Sequence, residues 1–359
     1  MTPLSRSAIL NIIDGIEPPD EFWRARARAH LDTLTKPLGS LGYLEDLAAQ
    51  VAAIRRANPV LPMSKAVYVF AADHGITAEG VSAYPSAVTK QMVLNFVAGG
   101  AAVSVLARLH GVALHVVDMG VDGDFENVSG LLHRKVRKGT RNMLREPAMT
   151  DEELSQALRA GAELADEAAA AGHTVLAVGE MGIGNTTAAS AITCALTGST
   201  ALRATGPGTG LDDAAHESKT AVVDAIVKKH LAELTALNPL DILRCVGGLE
   251  IAAMTGMILA AARSRIALMI DGFISSAAAA LAVAMEPRIR GYLIAGHRSK
   301  EPGHRLLLEH LGLDPLLDLE MRLGEGSGAV LAMPILESAV ALYSQMATFS
   351  SAGVNEALA

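Results

Sequence analysis

Five short apolar runs, separated by helical stretches, constrain the fold of this chain more than any other feature of its 359 residues. Each run is rich in Val, Ile, Leu and Ala, and the runs are residues 66–72, 113–117, 174–178, 266–270 and 290–295. Strands that are apolar on both faces are typical of a parallel sheet covered by helices on both sides. The sequence therefore predicts an α/β fold with a doubly wound, mainly parallel, Rossmann-like sheet.

Polar residues follow all five runs at the same end. Each run finishes, on its C-terminal side, in an acid or a histidine: Asp73, Asp118, Glu180, Asp271 and His297. Ligands of open parallel sheets bind outside the carboxyl ends of the strands. One such residue would be an ordinary loop side chain, but five at equivalent positions predict a common site at this edge of the sheet.

The third run leads into the stretch that we expect to lie at the centre of this site. Residues 175–187 pass from a strand through Glu180, Gly182 and Gly184 to the polar trio Asn185, Thr186 and Thr187, and a helix of small residues follows at 188–196. Glycines let the backbone approach a ligand, and the N–H groups of a helix start can hold an anion. The pattern favours a phosphate-binding turn beside a carboxylate. A simple strand–turn–helix corner capped by Asn or Thr would look the same.

A second glycine-rich loop, residues 205–213, contains Gly206, Gly208 and Gly210, and Lys219 follows it. Three glycines and a nearby lysine are suited to phosphate. The loop is not a P-loop, because GxxxxGK[ST] is absent, and no strand is followed by the GxGxxG dinucleotide fingerprint. The sequence thus predicts a phosphorylated small molecule as the ligand and does not by itself name the reaction.

Glu325 lies between two glycines at the predicted start of the last long helix. A glycine loop presents a carboxylate without neighbouring bulk, which makes this residue a candidate general base. The alternative is a glutamate that stabilises the helix through its dipole and has no catalytic role.

The composition limits the class of protein. A net charge of −8 argues against a main role in nucleic-acid binding. Cys194 and Cys245 lie in apolar helical surroundings, which predicts buried, reduced thiols and a cytoplasmic location.

No His/Cys cluster has zinc spacing and no tight acidic group suggests a cation cage, so we expect no metal. The apolar residues 251–285 are interrupted by charges, which favours a buried helix, strand and helix over membrane spans.

The ends of the chain differ from its middle. Residues 1–63 are expected to be helical, with Asp20 capping one helix and Tyr43 opening another that Pro59 stops. The sequence TDEE at 150–153 is a capping box that predicts a helix reaching about Gly172. The basic residues 131–142 could contact an anion, but a solvated loop is the commoner explanation for such a run and is what we expect. The chain from Gly328 is expected to be a helix that Pro334 kinks.

Taken together, the motifs resemble those of the nicotinate-nucleotide–dimethylbenzimidazole phosphoribosyltransferase family. Each is weak alone, but they occur in the family's order from about residue 34 to the end of the chain. They are LTKPLGSLG (34–42), ADHG (72–75), EGVS (79–82), QMV (91–93), GEMGIGNTT (179–187), GTGLDD (208–213), GGLEIA (247–252), DGF (271–273), HRS (297–299) and LGEGSG (323–328).

The resemblance implies that phosphoribose is transferred from nicotinate mononucleotide to 5,6-dimethylbenzimidazole, giving α-ribazole 5′-phosphate and nicotinate for the lower ligand of cobalamin. It implies a homodimer and no metal or other cofactor. It also implies a smaller helical domain built from both chain ends, with domain bounds of 1–63, 64–300 and 301–359. Glu325 is expected to be the general base, and Glu180 is expected to stabilise developing positive charge.

The resemblance also divides the candidate binding residues into two groups. The nucleotide side is expected to comprise Gly182, Gly184, Asn185, Gly206, Gly208, Thr209, Gly210, Lys219, Asp271 and Ser299. The benzimidazole side is expected to comprise Ser82, Tyr84, Gln91 and Leu323.

One departure from the family pattern concerns the phosphate loop, where Pro207 removes a backbone N–H and moves more of the phosphate contact to Lys219. Lys36–Gly39 also differs mildly from the usual form.

Two other functions fit an α/β fold: a small-molecule kinase, which would need a triphosphate loop and metal-binding carboxylates that the sequence lacks, and a non-catalytic flavin or nucleotide binder.

Overall fold

The computed structural model describes residues 3–208, 210–231 and 238–355. Its strands are β1 (Lys65–Ala72), β2 (Ala113–Gly120), β3 (Leu131–His133), β4 (Val175–Met181), β5 (Ala267–Ile270) and β6 (Leu293–Ala295). Its helices are α1 (Pro3–Ile13), α2 (Glu21–Asp32), α3 (Tyr43–Arg55), α4 (Ala87–Ala98), α5 (Ala102–Leu109), α6 (Asp151–Ala170), α7 (Asn185–Thr197), α8 (Ala201–Ala204), α9 (Asp213–Leu231), α10 (Pro239–Val246), α11 (Leu249–Arg263), α12 (Phe273–Met285), α13 (Pro302–Leu311), α14 (Ser327–Gln345) and α15 (Phe349–Ala352). Short 3₁₀ helices cover Gly75–Glu79 and Pro287–Tyr292.

The strands form one parallel sheet in the order β3-β2-β1-β4-β5-β6. This is the strand order of a Rossmann sheet, in which the direction of winding reverses between the first and fourth strands. The predicted α/β fold is therefore confirmed, and the reversal between β1 and β4 places a crevice at the carboxyl ends of these strands.

The basic stretch 131–142 was expected to be a solvated loop, and this was wrong for its first residues, which form the edge strand β3. The strand has only three residues, and basic residues follow it at once, so its apolar signal is too short to recognise. The rest of the stretch is tied by ion pairs and is not freely solvated: Arg134 with Glu167, and Arg141 with Glu153.

The apolar residues 251–285 form α11, β5 and α12 at the centre of the core. This confirms the predicted order of helix, strand and helix. By length and apolar composition alone, Ala87–Leu109 and Ser327–Gln345 could also cross a membrane. The first of these is divided between α4 and α5, and the second is α14, whose buried residues pack into the core.

The two ends of the chain pack against each other, as the resemblance implied. Helix α14 packs on α3, and the Thr35 N–H donates to the carbonyl of Ala347 across 2.9 Å. The rings of His30 and Tyr343 make an edge contact with centroids 4.7 Å apart. Helix α1, by contrast, packs on α6 and α11 of the sheet region. The domain bounds 1–63, 64–300 and 301–359 stay a prediction.

The capping box at the start of α6 is formed as predicted. The Thr150 hydroxyl accepts the N–H of Glu153, and Glu153 Oε2 accepts the N–H of Thr150 across 2.7 Å. Replacing Thr150 with alanine should lower the free energy of unfolding by about 1 kcal/mol, because a helix N–H loses its acceptor. Chemical denaturation measures this. Glu163→Ala, on the exposed part of the same helix, is the control, and an equal loss in both variants would contradict the assignment.

Candidate active site

A cavity of about 640 Å³ opens at the carboxyl end of the sheet. Several elements supply its walls: the end of β4 and the start of α7, the start of α12, the loops before α13 and α14, and one side of α4. The predicted site residues that line it are Tyr84, Glu180, Gly182, Asn185, Gly208, Ser299, Leu323 and Glu325. The fold thus brings together residues that are up to 241 positions apart in the sequence, counted from Tyr84 to Glu325.

Other predicted residues lie next to the cavity and not in its wall. Gly184 is the N-cap of α7, and Gly206 is the part of the loop that packs on Glu301. Lys219 and Asp271 are buried behind the residues that line the cavity. Gly210 closes a turn by donating its N–H to the carbonyl of Pro207. Thr209 falls outside the described residues.

Two predicted benzimidazole contacts, Ser82 and Gln91, are not among the residues that line the cavity. Ser82 is half-buried and accepts the N–H of Tyr84 across 3.2 Å. Gln91 is exposed on α4, whereas Val88 and Met92 of the same helix line the cavity. Contacts of Ser82 and Gln91 with a ligand stay predictions.

Glu325 is held in a strained turn. Its φ is 67°, in the left-handed region, and both neighbouring glycines also have positive φ. Asp271 fixes this turn from behind, because its two carboxylate oxygens accept the N–H groups of Gly326 (3.1 Å) and Ala329 (2.9 Å). Asp271 was predicted to bind the nucleotide. The structure places it as the acceptor for the turn that presents Glu325.

The carboxyl groups at the centre of the cavity are poised to exchange protons near neutral pH. Burial raises the pKa of Glu325 to about 7, and the nearby Asp271 adds to the rise, while the Val103 N–H lowers it. Burial also raises the pKa of Glu180 to about 8, against a hydrogen bond donated by Asn185 Nδ2. Such values suit a general base and a group that is largely protonated in the empty site.

The five residues that end the predicted strands do not form one common site, and that expectation was too broad. Glu180 alone among them lines the cavity in the described part of the chain. Asp73 accepts the N–H of Asp122 across 2.7 Å. Asp118 accepts the N–H of Val121 and pairs with Lys135. A carboxylate at a strand end also satisfies the N–H groups of its own loop, and sequence cannot separate that use from ligand binding.

Cationic side chains gather at one end of the cavity, around the loop 206–208. Lys219 Nζ donates to Thr186 Oγ1 (2.8 Å) and to the carbonyl of Gly206 (3.3 Å). Arg322 Nη1 donates to the carbonyl of Gly208 across 3.1 Å. Burial lowers the pKa of Lys219 to about 8, so it is mostly charged at neutral pH. This end can hold a phosphate group.

Apolar side chains line other parts of the cavity, and only two of them, Tyr84 and Leu323, are among the residues predicted from the sequence. The residues missed are Val88, Met92, Met181, Ile183, Phe273 and Ile274. Val88 and Met92 are four positions apart on α4, a spacing that places them on one face of the helix. That spacing, directly after the motif EGVS, was the signal that could have found them. Arg322 and Glu301 were also missed as members of the cavity wall.

The model of a family described as phosphoribosyltransferase matches residues 16–354. The chain belongs to this phosphoribosyltransferase family.

Relatives in the family share nearly the whole length of the chain. Proteins named nicotinate-nucleotide–dimethylbenzimidazole phosphoribosyltransferase are 48% identical in Geobacter metallireducens, covering 96% of this chain and 97% of the relative. In Geobacter sp. strain M21 the identity is 50%, covering 94% and 97%. The crystal structure of CobT from Thermus thermophilus has a TM-score of 0.89 at 48% identity, covering 94% of this chain and 100% of that one. The fold is therefore shared over 94% of this chain.

Proposed function

We propose that this protein transfers the phosphoribosyl group of nicotinate mononucleotide to 5,6-dimethylbenzimidazole, giving α-ribazole 5′-phosphate and nicotinate. The relatives' names describe this activity. The observation that carries the proposal is the cavity itself, which combines a cationic end, apolar walls and Glu325 with a pKa of about 7. These features match a phosphate, a flat aromatic base and a proton that must be removed.

The phosphate of the nucleotide would lie at the cationic end. Lys219 and Arg322 supply charge, and the Gly206–Gly210 loop with Ser299 supplies a close backbone and a hydroxyl. Gly182, Gly184 and Asn185 form the turn into α7 beside it. Pro207 has no N–H, so the loop offers the phosphate one backbone donor fewer. Side chains would therefore make a larger share of the phosphate contacts.

The benzimidazole would lie against the apolar walls that include Met92, Met181 and Leu323. Its attacking nitrogen displaces nicotinate from C1 of the ribose, and attack from the opposite face converts a β-nucleotide into an α-product. Its other ring nitrogen loses a proton in the same process. Glu325 is the proposed acceptor of this proton.

The leaving group needs no acid, because the nicotinate ring nitrogen already carries a positive charge and departs neutral. No metal or other cofactor is required for such a displacement. Glu180 is the proposed stabiliser of positive charge on the ribose ring. Its pKa of about 8 leaves it mostly protonated in the empty site, and the positive charge of the nucleotide's pyridinium ring, next to the ribose, would favour its ionised form.

The test is to incubate the protein with nicotinate mononucleotide and dimethylbenzimidazole in a metal-free buffer and to follow nicotinate and α-ribazole 5′-phosphate by chromatography. We expect one nicotinate for each α-ribazole 5′-phosphate, and no nicotinate when the benzimidazole is omitted. Failure to release nicotinate with both substrates present would exclude the proposal. A kinase would instead require a nucleoside triphosphate, and a non-catalytic binder would retain the nucleotide unchanged.

A homodimer and a cytoplasmic location belong to the same proposal. Both cysteines are free and buried, which agrees with a reducing compartment. Exposed apolar side chains on the helices of the chain ends, such as Phe22 and Tyr43, are compatible with a partner subunit. Sedimentation analysis measures the oligomeric state directly.

A further inference from the structure

Glu301 lies in the wall of the cavity, next to the proposed phosphate position, and has no role in the proposed reaction. It is 5% exposed, and its Oε2 atom is enclosed without a hydrogen-bond partner in the described part of the chain. It occupies the N-cap position of α13, where an acid usually accepts a helix N–H, but its side chain makes no such bond. An enclosed carboxylate with an unsatisfied oxygen is costly, so the fold retains it at the expense of stability.

The surroundings of Glu301 show what it faces. A methyl group added at Gly206 would overlap Glu301 Oε2, so the loop lies directly on the carboxylate. Lys219 and His216 face it from α9, and Arg322 faces it from the loop before α14. Burial raises the pKa of Glu301, while Lys219, Arg322 and the Gly208 N–H lower it. Glu301 is thus the acid that opposes the two cations of the empty site.

The two cations are occupied while the site is empty. Lys219 is bonded to Thr186 and to the carbonyl of Gly206, and Arg322 is bonded to the carbonyl of Gly208. A phosphate ester brings a charge of about −2 at neutral pH, because its second pKa is near 6. With Lys219 and Arg322 charged, a bound phosphate balances the site by itself. An ionised Glu301 would then leave an excess buried negative charge, which is strongly unfavourable.

We propose, on the basis of the proposed function, that Glu301 is the counter-charge of the empty phosphate site and takes up one proton from solvent when the nucleotide phosphate binds. The carboxylate becomes a neutral carboxylic acid, and the proton returns to solvent when the phosphorylated product leaves. Glu301 therefore keeps Lys219 and the loop organised between turnovers and weakens phosphate binding, which favours product release.

The experiment is calorimetric titration of the complete protein with nicotinate mononucleotide alone, near neutral pH, in two buffers of different ionisation enthalpy. The difference in heat gives the number of protons taken up. We expect the wild-type protein to take up about 0.5 to 1 more proton per nucleotide than Glu301→Gln. The amide variant should bind the nucleotide about 3- to 10-fold more tightly, because no proton must be acquired.

Two controls separate this from other causes. Nicotinate riboside, which lacks the phosphate, should bind with the same proton count in both proteins. Glu309→Gln changes an exposed glutamate on the same helix and should behave as the wild type does. Burial lowers the pKa of Lys219 to about 8 and Glu301 opposes this, so Glu301→Gln also changes the lysine. Both proteins are therefore titrated over a range of pH, because proton uptake by Lys219 grows as the pH rises towards its pKa and is thereby separated from uptake by Glu301.

Three outcomes would overturn the inference. Proton uptake that persists unchanged in Glu301→Gln would assign it to another group. Weaker nucleotide binding by this variant would make Glu301 a ligand or a structural support. Equal proton counts for the nucleotide and the riboside in wild-type protein would remove the phosphate as the cause. If the wild-type protein bound no nicotinate mononucleotide at all, the proposed function would fail together with the inference.

Discussion

Glutamine in place of Glu325 should lower kcat by about a thousandfold, corresponding to roughly 4 kcal/mol of lost transition-state stabilisation, and change the KM for nicotinate mononucleotide little. Glutamine keeps the size of the side chain but cannot accept the benzimidazole proton. The turn should survive, because Asp271 still accepts the N–H groups of Gly326 and Ala329. Steady-state kinetics with both substrates varied measure kcat and each KM.

The pH dependence gives this prediction a second readout. The base acts when ionised, so activity of the wild-type protein should fall as the pH drops through the Glu325 pKa of about 7. The variant should lose this acid limb. Because folding raises the pKa of Glu325, the free energy of unfolding falls as the pH rises from the ordinary glutamate value of 4.5 towards 7. The variant lacks this ionisation, so at neutral pH it should be at least as stable as the wild-type protein.

Glu320 provides a matched control. It is exposed, it also has positive φ, and it pairs with Lys300 outside the cavity. Glu320→Gln should leave kcat and the pH profile unchanged. Full turnover by Glu325→Gln, or an acid limb that persists in it, would remove Glu325 as the base.

Alanine in place of Gly179 should lower kcat by about a hundredfold, although Gly179 lies outside the cavity wall. An added methyl group would overlap the carbonyl oxygen of Glu325 and lie 2.5 Å from its carbonyl carbon and 2.6 Å from Gly326 N. These are backbone atoms, which cannot rotate away, and β4 is held between β1 and β5. The Glu325 turn must therefore move, and the free energy of unfolding should fall by about 1 to 3 kcal/mol.

A double-mutant cycle distinguishes a displaced base from general damage. If Gly179→Ala acts by moving Glu325, adding Glu325→Gln should cost much less than it does in the wild-type protein. Gly198→Ala is the control: it lies at the C-cap of α7 with φ of 69°, and an added methyl group meets open space. It should cost stability of about 1 kcal/mol and leave kcat intact. Additive effects on kcat would contradict the proposed link.

Much of the fold could be predicted from sequence because its signals are local. The apolar runs that became β1, β2, β4, β5 and β6 are bounded by turn residues, and Asp20 and Thr150 cap helices where they were expected to. Strand β3 could not be predicted, because three residues are too few to show a pattern of apolar and polar side chains typical of a strand. The last run was placed too early: residues 290–292 belong to a 3₁₀ helix, and β6 begins at Leu293.

The site was predictable where glycines and acids cluster, as they do around Glu180 and Glu325. The role of Asp271 in holding the turn was not predictable. In the sequence, a carboxylate that binds a ligand and one that holds a turn look alike, and only the fold places the turn, 55 residues later, beside Asp271. The apolar residues of the cavity wall, such as Met92 and Ile274, were missed because nothing in the sequence distinguishes them. Such residues are common in any core, and only the fold shows which of them face a cavity.

The contact between Gly179 and the Glu325 turn has a consequence for how this enzyme can vary. The glutamate motif owes its position to a glycine in one strand and an aspartate after another, and neither residue lines the cavity. A graft of LGEGSG into a different sheet would carry the base without its supports. A substitution in any one of these three segments should therefore move the base, whereas the apolar side chains of the cavity wall can change in size without displacing it.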